Sequence, residues 1–289
     1  MNMKKMFYLM IISLLITNEV FAQAIVSLYE RDKIPFAKAD TEIPQLTVFR
    51  PDKNSATRTA VIVCSGGSYV GRANVGEGLP ACKKLAEAGI TAFLLDYRVP
   101  REDRMVHKEI VPLTDAQRAI QYVREHVREY GLDPQRIGMM GFSAAGHLVS
   151  TVGTSFQETE LPNPKKTSLR PDFLVLIYPV ISFADSLTHL ESRRNLIGPD
   201  ISPERIIRFS NELKVTGDTP PTFLTSGIDD SVVPVANSLN FAAALKQHQV
   251  PVELFLYAKG AHGFGVYNKL SKIQWIDECV PWINKILTR

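Results

Sequence analysis

Six short runs rich in Val, Ile, Leu and Phe, at residues 60–64, 91–96, 137–140, 173–178, 222–225 and 252–257, recur along this chain, each bounded by turn residues. Runs that are apolar throughout, rather than alternating, suit strands covered on both faces, as in a parallel sheet. Stretches of helical character lie between several of them, at 79–88, 114–130, 237–249 and 275–287. In the second, Ala116, Ile120, Val123 and Val127 share one face, while Arg118, Arg124 and Glu125 lie elsewhere. An early strand is expected at 47–49, after Pro44. Repetition of strand and helix predicts an α/β fold: a doubly wound, mostly parallel sheet flanked by helices, with its chemistry at the carboxyl ends of the strands. Residues 181–219 break the rhythm with Pro199, Pro203 and many charges. They read either as a small cap over the strand ends or as a surface excursion with one helix around 203–211.

The first two dozen residues stand apart. Lys4 and Lys5 precede an uncharged, mostly apolar run at 6–18, and the small residues Ala22 and Ala24 follow. That is the pattern of a secretory signal peptide cleaved after Ala22, whereas a spanning helix needs about 20 apolar residues; a buried N-terminal helix is the structural alternative. Residues 1–22 are thus expected to be removed. Residues 23–289 would form one periplasmic or secreted domain, with no membrane attachment after cleavage. No internal repeat or linker divides it. Cys64, Cys82 and Cys279 are an odd number, so at least one thiol has no partner within the chain. Their spacing matches no zinc-ligand pattern, and none lies where a lipid anchor would need it. With 33 Lys+Arg against 30 Asp+Glu and 45% apolar residues, the chain is too evenly charged to suggest nucleic-acid binding and too apolar for disorder.

Gly-x-Ser occurs three times, ending at Ser68, Ser143 and Ser155. Only Gly141-Phe142-Ser143-Ala144-Ala145 lies between a buried strand and a helix of small and apolar residues. A serine on such a sharp turn is lifted above the sheet with a strained backbone, which requires small neighbours. Gly141, Ala144, Ala145 and Gly146 supply them. A serine serving only as a helix N-cap is the bland alternative.

In a nucleophile-elbow fold the partners follow in the order Ser, Asp or Glu, His. His107 and His126 come too early. His147 lies four residues past Ser143, where it reads as a core histidine under the elbow. His189 falls in the irregular excursion, and His248 sits near a helix end among Lys246, Gln247 and Gln249. His262 remains, in the glycine-rich loop directly after the last strand. The loop after 222–225 offers two adjacent carboxylates, Asp229 and Asp230, and either could orient His262 through Nδ1–H. The other would serve the turn. Acyl transfer also needs donors for a developing oxyanion. One is the backbone N–H of Ala144, and another is expected from Ser65-Gly66-Gly67-Ser68-Tyr69, after the first long strand. A tight turn would explain those glycines equally well.

Several segments make the sequence resemble secreted α/β-hydrolase esterases of the acetyl xylan esterase and related carbohydrate esterase type. They are Ser65–Tyr69 followed by Gly76-Glu77-Gly78, Leu94-Leu95-Asp96-Tyr97-Arg98, Asp115-Ala116-Gln117-Arg118-Ala119 and Asp133-Pro134-Gln135-Arg136-Ile137-Gly138. The elbow through Leu148, Tyr178-Pro179-Val180, Pro220-Pro221-Thr222-Phe223 and the two later loops complete the set, from about Leu46 to the C-terminus. The resemblance implies the α/β-hydrolase fold, a triad of Ser143, Asp230 and His262, an oxyanion hole of Gly67, Ser68 and Ala144 N–H groups, and no metal or organic cofactor. It selects Asp230 because the family's acid is the last aspartate before Val-Val-Pro. It also implies hydrolysis, through an acyl-enzyme, of a small-molecule or polysaccharide ester bearing a short acyl group such as acetyl. Two departures stand out: the family shows a proline and three glycines where Ser65-Gly66-Gly67-Ser68 stand, and a glycine at Ala145. Tyr97, Arg98, Asp115 and Arg118 read as structural supports. A general carboxylesterase, formamidase or peptidase could use the same triad. A non-catalytic carbohydrate-binding module would instead be expected to have lost it.

Overall fold

The computed structural model describes residues 24–38, 40–159 and 161–288; the expected signal segment, 1–22, lies outside them. One sheet contains β1 (Ala24–Ser27), β2 (Gln45–Phe49), β3 (Ala60–Cys64), β4 (Thr91–Asp96), β5 (Ile137–Phe142), β6 (Leu174–Ile177), β7 (Thr222–Gly227) and β8 (Val252–Tyr257). Its order is β1-β2-β4-β3-β5-β6-β7-β8. The first two pairings are antiparallel and all later ones parallel. The helices are α1 (Gly78–Glu87), α2 (Val111–Glu125), α3 (Val127–Tyr130), α4 (Ala144–Ser155), α5 (Leu190–Ile197), α6 (Pro203–Arg208), α7 (Ala236–Gln247) and α8 (Trp275–Ile286).

The apolar runs become strands because both faces of the sheet are covered. On β3, Ile62 and Cys64 join a core with Ala116 and Ile120 of α2, Val149 and Val152 of α4, and Phe241 of α7. Val61 and Val63 point the other way, into a core with Cys82 and Leu85 of α1 and Trp275 and Ile283 of α8. No helix among the described residues is long and apolar enough to cross a membrane.

Three elements differ from expectation. β1, not among the expected strands, is a short edge strand that stays mostly exposed although three of its four residues, Ala24, Ile25 and Val26, are apolar. The helix expected at 114–130 starts earlier, with Pro112 in its first turn, and breaks at His126 (φ −112°, ψ 20°). The His126 ring stacks on Tyr122 at 4.0 Å and its Nδ1 lies 2.7 Å from the Tyr122 carbonyl oxygen. β5 extends beyond its expected end to Phe142, so Ser143 follows the strand directly.

Residues 181–219 carry α5, α6 and a short turn at Asn211–Leu213. Buried asparagines tie this excursion to the body. Asn211 Nδ2 donates to the His147 carbonyl (3.1 Å) and to Ser150 Oγ (2.8 Å), while Asn237 Oδ1 accepts from the N–H groups of Ile181 and Ser182, both at 3.0 Å. His147 is wholly buried and completes the tie. Its Nε2–H donates to the Phe209 carbonyl at 2.8 Å, which leaves Nδ1 to accept the Tyr69 hydroxyl at 3.0 Å. Its ring stacks on Phe183 at 4.3 Å. Behind β4, Arg98 and Asp115 form a fully buried pair, with guanidinium bonds of 2.9 and 2.7 Å. Asp115 also accepts the Arg98 N–H at 2.9 Å, and Arg98 Nη1 donates to the Pro35 carbonyl at 2.8 Å. Arg118 does not join the pair: it donates to Leu28 O and Gln121.

Asp115→Ala strands a buried guanidinium and should cost about 3–5 kcal/mol in denaturant unfolding; a loss below 1 kcal/mol would contradict the pair's role. Burial lowers the His147 pKa to about 4, with the Phe209 bond and the Lys214 charge as lesser influences. In the unfolded chain the ring protonates near its ordinary value of 6.5. The stability due to neutral His147 is therefore present above pH 6.5 and is lost as pH falls toward 4, by about 3 kcal/mol in total. His147→Gln preserves one donor and one acceptor and should remove that part of the pH dependence. Identical slopes for the two proteins between pH 6.5 and 4 would refute the assignment.

Candidate active site

Strand register brings the candidate loops together. Cys64 of β3 pairs with Gly141 of β5, so the 65–69 loop and Ser143 leave the sheet side by side. Gly227 of β7 pairs with Tyr257 of β8, which does the same for the loops of Asp230 and His262.

Ser143 has φ 50° and ψ −121°, a conformation disfavoured for an L-residue. The turn is clamped from β6: Ser143 N–H donates to the Ile177 carbonyl at 2.9 Å, and the Ser143 carbonyl accepts from Val180 at 3.0 Å. A Cβ on Gly141 would lie 2.3 Å from the Ala145 carbonyl oxygen, so the chain can fold back this tightly only with glycine there. At Ala145 the extra methyl is simply buried in the core on α4, which packs against α2.

Ser143 Oγ lies 2.9 Å from His262 Nε2, and His262 Nδ1 lies 2.7 Å from Asp230 Oδ2. Asp230 Oδ1 is fixed by its own loop, accepting the N–H groups of Val232 and Val233 at 2.9 Å each. Asp229 does different work. Its Oδ1 accepts from Ala261 and Gly260 N–H, both at 2.9 Å, and these bonds, the Ala261 bond foremost, hold its carboxyl below the usual range.

The 65–69 loop curls through three successive positive φ values: Gly67 at 133°, Ser68 at 53° and Tyr69 at 60°. A Cβ at Gly67 would meet the Gly71 carbonyl oxygen at 2.6 Å. Among the described residues, none of the hydrogen bonds formed uses the N–H groups of Gly67, Ser68 or Ala144. The loop is held from outside. Tyr97 OH donates to the Ser65 carbonyl (2.9 Å), Asn195 Nδ2 of α5 donates to the Ser68 carbonyl (2.7 Å), and Tyr69 reaches His147. Ser65 Oγ is buried with no hydrogen-bond partner among the described residues, so the serine in place of proline adds no hydrogen bond and only packs against Gly78.

The remaining candidates lie apart from this constellation or at its margin. Ser155 ends α4. His248 caps α7. His189, at the start of α5, is half-buried with Nδ1 2.8 Å from Ser192 Oγ; burial lowers its pKa, and the charge of His262 adds to the effect. All three cysteines are buried free thiols whose pKa burial raises. Among the described residues no group of three His, Cys, Asp or Glu side chains is arranged to hold a metal ion. Residue reading overlooked Asn195, Glu77 and Tyr178 as parts of the site. Glu77 and Tyr178 were visible only inside motifs carrying the resemblance, and Asn195 had no local signal.

Comparison with known proteins agrees with this architecture. Residues 46–245 match the BD-FAE family. The chain is 33% identical over 229 residues to endo-1,4-beta-xylanase B of Butyrivibrio fibrisolvens, covering 78% of this chain and 35% of that protein. It is 32% identical over 225 residues to the acetylxylan esterase of Xylanibacter ruminicola, covering 76% and 44% respectively. The chain thus spans less than half the length of these two relatives. The crystal structure of the acetyl ester-xyloside bifunctional hydrolase from Caldicellulosiruptor lactoaceticus is 39% identical, with a TM-score of 0.81, covering 91% of this chain and 96% of that one. With an eight-stranded sheet of this order and a family match spanning both the 65–69 loop and the serine elbow, the chain has the α/β-hydrolase fold and belongs to the BD-FAE family.

Proposed function

We propose that this chain is a serine esterase that removes short acyl groups, acetyl foremost, from a carbohydrate. The observation that carries the reading is the continuous hydrogen-bonded line from Ser143 Oγ through His262 to Asp230, at 2.9 and 2.7 Å. His262 Nε2 takes the Ser143 proton as Oγ bonds to the acyl carbon, and Asp230 holds the ring's tautomer and supports the imidazolium. The carbonyl oxygen becomes an oxyanion facing the N–H groups of Gly67, Ser68 and Ala144; one such donor is worth about 3–4 kcal/mol in the transition state. The bond to the sugar oxygen then breaks as His262 returns its proton to that oxygen. Water, deprotonated by the same histidine, attacks the acyl-enzyme, and carboxylic acid and free serine result.

The relatives' names, acetylxylan esterase and acetyl ester-xyloside hydrolase, support acetylated sugar as the substrate class. Val70 and Val232, exposed on the loops that carry Ser68 and Asp230, add apolar area against which the C–H face of a pyranose ring can rest. The basic and apolar start of the sequence supports export to the periplasm or medium, where polysaccharide is met. The Asn195 contact to the Ser68 carbonyl supports reading residues 181–219 as a cap on the site.

Ser143→Ala should abolish p-nitrophenyl acetate hydrolysis. Asp230→Asn should lower kcat by about 10⁴-fold, whereas Asp229→Asn, whose side-chain oxygen can still accept both loop N–H groups, should cost about tenfold at most. Equal losses in the two aspartate variants would overturn their distinct roles. On a panel of acetylated xylan, feruloylated sugar and short peptides, acetate release is expected; peptide cleavage without acetate release would overturn the substrate class.

A further inference from the structure

Glu77 is a buried carboxylate that the acyl-transfer steps do not use. It sits just before α1, and both its oxygens accept hydrogen bonds from active-site loops. Oε2 accepts the Gly66 N–H at 2.6 Å, and Oε1 accepts the Tyr178 hydroxyl at 3.0 Å. The Tyr178 oxygen in turn accepts the Gly265 N–H at 3.2 Å, three residues past His262. Burial raises the Glu77 pKa, against the opposing pull of the Gly66 and Tyr178 bonds and of His262. A carboxylate placed where it meets only donors thus links the oxyanion loop, the end of β6 and the histidine loop.

Each end of this bridge touches reacting groups through one neighbour. Gly66 packs so closely on the elbow that an added Cβ would lie 2.8 Å from Ser143 Cβ and 2.8 Å from the Phe142 carbonyl oxygen. Displacing Gly66 therefore moves the following Gly67 and Ser68 N–H groups relative to Ser143. Tyr178, at φ 36°, presents its ring edgewise to His262 with centroids 4.8 Å apart. Its own N–H is held by the Thr225 carbonyl at 2.7 Å. The other side of Gly265 is fixed by Trp275, whose Nε1 donates to the Gly265 carbonyl at 2.9 Å.

We propose that Glu77 is a positioning residue that sets the distance between the oxyanion loop and the Ser143–His262 pair. It acts through the Gly66 N–H on one side and through Tyr178 and Gly265 on the other. This inference rests on the esterase reading above. It assigns Glu77 no contact with substrate and no proton transfer. Its effect should therefore fall on transition-state geometry rather than on ground-state binding.

The test measures kcat and KM on p-nitrophenyl acetate, with active sites counted by fluorophosphonate titration so that misfolded protein is excluded. Glu77→Gln replaces one acceptor by a donor and should lower kcat per titrated site by about tenfold or more, with KM within about threefold. Tyr178→Phe cuts only the histidine-loop arm and should lower kcat less. The double variant should be no slower than Glu77→Gln, because both substitutions break one bridge. If Glu77→Gln does not accumulate as folded protein, Tyr178→Phe alone carries the test. An active parent whose folded variants keep kcat per site within twofold overturns the role of Glu77 alone. A parent with no esterase activity overturns the esterase reading and this role with it.

Discussion

The site depends first on the pairing of β3 with β5. Chain order runs outward from β3 in two directions, to β4 on one side and, after the chain crosses back, through β5, β6, β7 and β8 on the other, while the earlier β2 and β1 lie beyond β4. At such a reversal the loops after neighbouring strands turn to opposite faces, and a crevice opens between them. Cys64 opposite Gly141 puts the 65–69 loop on one wall and Ser143 on the other. A one-residue slip in that register would turn every β5 side chain to the wrong face of a sheet buried on both sides. The geometry of the proposed nucleophile and oxyanion donors is thus set by core packing far larger than the site.

Local strain is the second condition. Ser143, Ser68, Tyr69 and Tyr178 all have positive φ without being glycine, at roughly 1–2 kcal/mol each. Such residues persist only where their surroundings over-determine them. Here each strained residue has a partner from a different element: Ser143 from β6, Ser68 from α5, Tyr69 from α4 and Tyr178 from β7. Ser68 explains why the departure from an all-glycine loop is tolerated, because Asn195 fixes its carbonyl in the left-handed turn. Among the described residues the buried hydroxyl of Ser65 has no hydrogen-bond partner that could compensate it in the same way.

Much of this was legible in the sequence, because strands covered on both faces leave unbroken apolar runs and an elbow demands small residues around its serine. Boundaries were harder. β5 gains Gly141 and Phe142 because it ends where Ser143 is clamped, a tertiary constraint invisible in local apolarity. The break at His126 coincides with its ring stacking on Tyr122 and its Nδ1 reaching the Tyr122 carbonyl, contacts that leave no pattern in the apolar periodicity. His147 could be read as a core histidine from its place on α4, but its partners Tyr69 and Phe209 come from segments 78 and 62 residues away. Asn195 and Glu77 share that difficulty: each matters for a single long-range hydrogen bond or two, and such bonds leave no periodicity.

The adjacent carboxylates show where residue reading alone had to stop. Asp229 and Asp230 are chemically identical neighbours, and either could have faced an imidazole. Backbone geometry separates them. Asp230 Oδ1 is saturated by the N–H groups of Val232 and Val233, which aims Oδ2 at His262. Asp229 turns to the other side of the loop and takes the N–H groups of Gly260 and Ala261. The two negative charges therefore each meet donors rather than each other. One fixes the imidazole ring and the other fixes the backbone that carries it, so the position of His262 is set twice from the β7 loop. That arrangement requires the two loops to leave the sheet in register, as the pairing of Gly227 with Tyr257 provides.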